Sequence, residues 1–152
     1  MTTINNFIPY TSVHLKKGAA ILLLMIMSCS QDLVDDPIPF QPFSDVIINL
    51  NLPAYTNLMT DGGNVYINGG VRGIILYRKS SSIYLAFERN CSFQPNNACA
   101  TVDAQPLFMK DSCCGSTFNY NGDPTGGLAW RPLQQYKTSL SGNTLTITDT
   151  VL

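Results

Sequence analysis

The strongest constraint on the fold is an alternation of apolar and polar residues that recurs in short segments separated by turn residues. Val46, Ile48, Leu50 and Leu52 alternate with Ile47, Asn49 and Asn51 before Pro53, the period of a strand with one buried face. Asp61, Gly62, Gly63 and Asn64 read as a turn into a strand at 65–68, and Gly69-Gly70 leads into another at 73–78. Ser80, Ser81 and Ser82 turn the chain into a strand at 83–89, and further strands are expected at 107–109, 116–120 and 136–140. Ser141-Gly142-Asn143 then joins a closing strand at 144–148. After the apolar run near the N-terminus no stretch carries a helical stripe, although 53–59 has room for a single turn. The pattern predicts an all-β domain, an antiparallel sandwich or small barrel.

Composition agrees with that class. Charged residues are only 12% of the 152, and a hydrophobic content of 45% excludes disorder of the whole chain. This length holds one domain with one modest core. All ten acidic residues follow position 28, whereas Lys16 and Lys17, two of the nine basic residues, precede it. The remainder is mildly acidic and carries no electrostatic footprint for nucleic acid. The single histidine is His14. Downstream of it there is no imidazole for a general base, a Ser-His-Asp triad, a Cys-His pair or a His-containing zinc site, and no enzyme activity is expected.

Lys16 and Lys17 introduce an unbroken apolar run at 18–27, followed by Ser28 and Cys29. A basic segment, a short apolar segment and a small residue before a cut describe a secretory signal at 1–28, too short to span a bilayer as a helix. Cleavage before a cysteine resembles the lipobox of bacterial lipoproteins, which makes Cys29 the expected lipid attachment site and the membrane the expected partner. Residues 29–43, polar and rich in proline (Pro37, Pro39, Pro42), read as a flexible lipid-anchored tether, leaving 44–152 as the β domain. Asp32, Asp35 and Asp36 soon after the anchor resemble the surface-export signals of Bacteroidetes lipoproteins. The expected location is that of an exported membrane lipoprotein, at the outer membrane on its periplasmic or cell-surface side.

Setting Cys29 aside leaves Cys91, Cys99, Cys113 and Cys114, an even set that favours disulfides in an exported chain. Bonding Cys113 to its neighbour Cys114 requires a strained ring, so the two mixed pairings are preferred. Two other uses remain open. Cys113 and Cys114 could exchange partners as a redox switch, or all four thiolates could hold a metal, although their spacing matches no zinc pattern.

From Gly73 to Ile147 the order of features resembles the Rieske iron-sulfur fold. Arg89-Asn90-Cys91-Ser92-Phe93 stands where that family has a Cys-x-His loop, and Asp111-Ser112-Cys113-Cys114-Gly115-Ser116-Thr117-Phe118 where it has Cys-x-x-His-Gly-Ser-x-Phe. The glycine-proline segment 121–127, Pro132-Leu133 and Tyr136 are similar to its downstream landmarks. The resemblance implies a Rieske-like antiparallel sandwich or small barrel with a two-loop cluster-binding-like subdomain at 89–120. It also implies which ligands are missing. Cys91 holds the first cysteine position, while Phe93, Asp111 and Cys114 replace a histidine, a cysteine and a histidine, so no [2Fe-2S] cluster is expected as a cofactor. The same resemblance implies disulfides Cys91–Cys114, across the place of the cluster, and Cys99–Cys113, between the two loops.

Other candidates for chemistry are weak. The glycine-rich stretch 122–127 lacks the lysine and following helix of a phosphate loop. Asp61, Glu88, Asp103, Asp111 and Asp123 read as solvated loop carboxylates. Phe93, Phe118, Tyr120 and Trp130 read as core plugs near the loop tips, and an exposed group among them would mark a surface for an unidentified envelope protein. The expected function is a non-catalytic, membrane-anchored binding or structural module. The alternative is a Rieske-type electron-transfer or cysteine-based redox protein.

Overall fold

The computed structural model describes residues 36–152. The predicted signal sequence, the lipobox, Cys29 and the first part of the tether lie outside the described residues. The described part contains two antiparallel sheets. One is six-stranded and curled into a half-barrel, formed by β1 (Val46–Asn49), β2 (Asn64–Ile67), β3 (Ile74–Ser80), β4 (Ile83–Glu88), β9 (Gln135–Ser141) and β10 (Thr144–Val151) in the order β1-β10-β9-β4-β3-β2. The other is four-stranded, with β5 (Val102–Ala104), β6 (Met109–Asp111), β7 (Thr117–Phe118) and β8 (Pro124–Gly126) in sequential order. The all-β expectation is met. No helix among the described residues is long and apolar enough to cross a membrane.

The small sheet is inserted in the chain between β4 and β9, which pair directly through Ala86 with Tyr136 and Phe87 with Gln135. The β3–β4 hairpin divides the hydrophobic residues into two cores. Ile74, Leu76, Tyr84 and Ala86 face the half-barrel interior with Ile48, Leu58, Tyr136, Leu145 and Ile147. Ile75 and Phe87 point the other way, into a cluster with Cys91, Val102, Met109, Phe118 and Leu133. This two-sided burial accounts for the unbroken apolar run Ile74-Ile75-Leu76, whereas in β1 Ile48 is buried and its neighbour Ile47 is exposed although both are apolar.

Several boundaries differ from those read in the sequence. β1 stops at Asn49, because its side-chain oxygen accepts the Asn51 N–H in a tight turn, and Leu52 is exposed. A short 3-10 segment, Pro53–Met59, follows and buries Leu58. The strand expected at 107–109 begins only at Met109. Leu107 sits at the tip of a turn closed by Gln105 N–H donating to the Phe108 carbonyl, and it is exposed. Residues 36–43, read as the end of a free tether, have no regular secondary structure but touch the domain. The Asp36 carbonyl accepts from Arg131 at 2.8 Å, and the Phe43 ring packs edge-on against Tyr136.

Of the five carboxylates expected to be solvated, Glu88 and Asp111 are instead buried, while Asp61, Asp103 and Asp123 are at least partly exposed and each has a partner. Asp61 pairs with Arg78 and Asp103 with Arg89, while Asp123 accepts from Asn119. Glu88 and Asp111 are fully buried. Glu88 is compatible with burial because it accepts from Val71 N–H (2.8 Å), Arg72 N–H (2.9 Å), Asn90 N–H (2.9 Å) and the Tyr136 hydroxyl (2.8 Å). The turn that supplies two of these donors needs Gly70. Its φ is +63°, and a β-carbon there would overlap the Glu88 carboxylate and the Tyr136 hydroxyl.

Candidate functional site: the Cys91, Asp111 and Cys114 cluster

Three segments converge beside the small sheet. The first is the loop after β4. An isolated bridge between Asn90 and Thr101 starts it, and Cys91 N–H donates to the Ala100 carbonyl. Arg72 clamps this loop from outside, donating to Asn90 Oδ1, the Ala98 carbonyl and the Asn97 carbonyl. The second is the β6–β7 turn, where Asp111 N–H donates to the Ser116 carbonyl and Gly115 N–H to the Asp111 carbonyl. The third is the stretch at 127–131. Ser116 Oγ accepts from Leu128 N–H (3.2 Å) and Ala129 N–H (2.9 Å). Ser92 Oγ donates to the Arg131 carbonyl, and Arg131 returns a bond to the Ser92 carbonyl. Gly127 makes this approach possible. Its φ is +82°, and a β-carbon would lie 2.5 Å from Ser116 Cα.

A disulfide joins Cys99 to Cys113 with Cα atoms 5.6 Å apart, tying the first loop to the second as expected. The other expected bond is not present. Cys91 and Cys114 are free thiols with their sulfurs 3.9 Å apart, well beyond the roughly 2.05 Å of a disulfide. The Cys114 thiol is instead engaged locally, 3.3 Å from Asp111 Oδ2 and 3.0 Å from Ser116 Oγ. Ligand atoms of Cys91, Asp111 and Cys114 all lie within 4.8 Å of one another. The four thiols therefore do not form one group. Two are consumed by the bridge, and a carboxylate joins the other two.

Burial pushes the Cys91 thiol strongly up from its ordinary value. The Phe93 N–H opposes that, while the hydrogen bond to Asp111 and the proximity of Cys114 and Asp111 reinforce it. Cys91 is fully buried and Cys114 only partly so, so the cluster opens to solvent on the Cys114 side. Asp111 is oriented by Cys113 N–H donating to Oδ1 at 2.7 Å, which leaves Oδ2 facing the thiols.

The donor set does not fit a [2Fe-2S] cluster of the Rieske type. Phe93 offers no ligand atom and packs against the second core, Asp111 brings a hard oxygen, and the only histidine of the chain lies outside the described residues. Of the four aromatics, Phe118 is a core plug and Phe93 and Tyr120 pack against the same core, with Tyr120 stacked on Tyr77 at 4.0 Å. Trp130 departs from the expectation. It is half-exposed, with the Arg131 guanidinium over its ring and exposed Leu128 two residues before it. Arg72, Arg131, Ser116 and Glu88 organise the loops; the two arginines did not stand out in the sequence, and Glu88 was read there as a solvated carboxylate. Only the Gly-Ser-x-Phe motif hinted at Ser116.

No protein-family model matches this chain, and no curated protein matches it.

Proposed function

We propose that this protein is an exported lipoprotein, anchored through Cys29, whose β domain is a Rieske-like scaffold that binds no iron-sulfur cluster and serves as a non-catalytic binding or structural module of the cell envelope. The observation that carries this reading is the content of the two loops. They are joined covalently through Cys99–Cys113, while the positions equivalent to cluster ligands hold Cys91, Phe93, Asp111 and Cys114 and no imidazole. The insertion of a small loop-bearing sheet between two paired strands of a larger one also supports it. Exposed Leu128 and Trp130, next to the same loops, favour a protein partner over a small-molecule substrate. Fatty-acid labelling of the full chain in cells tests the anchor: label on the wild type that Cys29→Ser abolishes supports it, and equal labelling of both refutes it.

A second reading, a thiol redox protein, is favoured by one observation, the contact of the free thiols Cys91 and Cys114. In it the two thiols pass two electrons and two protons to a disulfide oxidant and close into a bridge. Accumulation of the oxidised form in cells, reversed by a dithiol reductant, would favour it.

A further inference from the structure

We propose that Cys91, Cys114 and Asp111 form a mononuclear site for a thiophilic divalent cation, with Zn2+ the cation that suits it. The inference concerns the described domain and does not depend on how the chain is anchored.

Two of the three ligand-to-ligand separations match edges of a coordination polyhedron, and the third lies within 4.8 Å. Tetrahedral zinc with Zn–S of about 2.3 Å and Zn–O of about 2.0–2.2 Å separates two sulfurs by about 3.8 Å and a sulfur from an oxygen by about 3.5 Å. The thiols are 3.9 Å apart, and Cys114 Sγ lies 3.3 Å from Asp111 Oδ2. Both separations are near the edges that zinc requires, whereas a disulfide would require the sulfurs to approach by nearly half. The general objection that adjacent cysteines cannot share an ion does not apply. Cys113 is fixed to Cys99, so Cys114 alone of the pair enters the site.

The surroundings suit a cation. Asp111 and two thiolates would place three negative charges in a mostly buried cluster, which is untenable without a positive partner. A divalent ion brings that to a single excess negative charge, and the Phe93 N–H at Cys91 and the Cys113 N–H at Asp111 provide outer hydrogen bonds of the kind that orient ligands. Ser116 Oγ already accepts from Leu128 and Ala129, so the fourth position falls to water on the open Cys114 side. Two sulfurs and an oxygen favour zinc over hard cations such as magnesium and calcium. Binding transfers the two thiol protons to solvent and changes no oxidation state.

The test uses the full chain with Cys99–Cys113 intact, stripped by a chelator and titrated with Zn2+, and in parallel with Co2+ as a spectroscopic probe. The expected result is one ion per chain, with a thiolate-to-cobalt charge-transfer band that Cys91→Ser and Cys114→Ser each diminish. Asp111→Asn should weaken Zn2+ binding by about tenfold or more. Because serine at the buried Cys91 position risks misfolding, the wild type supplies a second readout: one equivalent of Zn2+ should slow alkylation of Cys114, whose sulfur lone pair is then engaged by the ion. Absence of stoichiometric binding overturns the proposal. So does alkylation unchanged by zinc, or a chain lighter by two hydrogens that carries a Cys91–Cys114 bridge in the presence of equimolar Zn2+. A stoichiometric iron-sulfur cluster would instead overturn the functional reading.

Discussion

Replacing Glu88 by alanine should remove a large part of the domain's stability, although Glu88 has no cationic partner among its hydrogen bonds. The substitution strips the acceptor from four donors at once. Two of them, the Asn90 N–H and the Tyr136 hydroxyl, are buried, and leaving each unsatisfied costs about 1–3 kcal/mol. The N–H groups of Val71 and Arg72 lie on a partly buried turn where water can replace the carboxylate, which limits their loss to about 0.5–1.5 kcal/mol each. A total of roughly 3–6 kcal/mol follows if hydration recovers part of the loss, a major fraction of the 5–15 kcal/mol typical of a domain. Tyr136→Phe alone should cost about 1.5–3 kcal/mol, the value of one bond to a charged group. The decisive assay is chemical denaturation of the wild type, both single variants and the double variant. Once Glu88 is gone the hydroxyl is itself an unsatisfied buried donor, so Tyr136→Phe should then cost nothing or restore stability, giving a coupling of at least about 1.5–3 kcal/mol. A Glu88→Ala loss below about 1 kcal/mol, or strictly additive single effects, would refute this account of how the β4 end holds the 70–72 turn.

Other outcomes follow from the same structure. The Cys99→Ser/Cys113→Ser double variant opens a loop with a sequence separation of 14 and should lose about 3 kcal/mol in a denaturant titration; an unchanged midpoint would show that the bridge adds nothing to the folded loops. Gly127→Ala places a β-carbon against Ser116 at positive φ and should cost roughly 2–4 kcal/mol, visible as a lowered melting temperature. Burial, with smaller contributions from Tyr77 and Tyr66, pushes the Tyr120 hydroxyl up to about 12, and Tyr136 is shifted in the same direction by burial and by Glu88. A raised phenol keeps its proton in the folded state after the unfolded chain has released it. The contribution of these phenols to stability should therefore be full below about pH 10 and fall away as pH rises from there towards the folded value. Tyr120→Phe should flatten that fall, as followed by denaturation at successive pH values.

What the sequence made legible was whatever depends on near neighbours. The alternation of Ile48, Leu50 and Leu52 with Asn49 and Asn51 pointed to β1 although the strand itself ends at Asn49, and the apolar run Ile74-Ile75-Leu76 marks a strand buried on both sides, so most of the large sheet was readable. The small sheet was less so. β5 and β8 have three residues each and β8 begins with Pro124, so neither is long enough to display a period. The role of Glu88 was hidden because two of its donors lie 16 and 17 residues earlier and its phenol 48 residues later, and only the folded sheet brings them together. The cysteines were half legible. An even count and the exclusion of the adjacent pairing narrowed the choices to two, and the Cys99–Cys113 bond was among them. That Asp111 would turn inward to Cys91 and Cys114 depends on Cys113 N–H capturing its other oxygen, a detail of one turn with no signature in residue spacing.

The most direct test of the central claim is the iron and acid-labile sulfide content of the purified full chain, read together with its visible absorption. The account predicts a colourless protein with neither element in stoichiometric amount, because the two loops bring together Cys91, Asp111 and Cys114 and offer no imidazole. A red-brown protein carrying two irons and two sulfides per chain would contradict it.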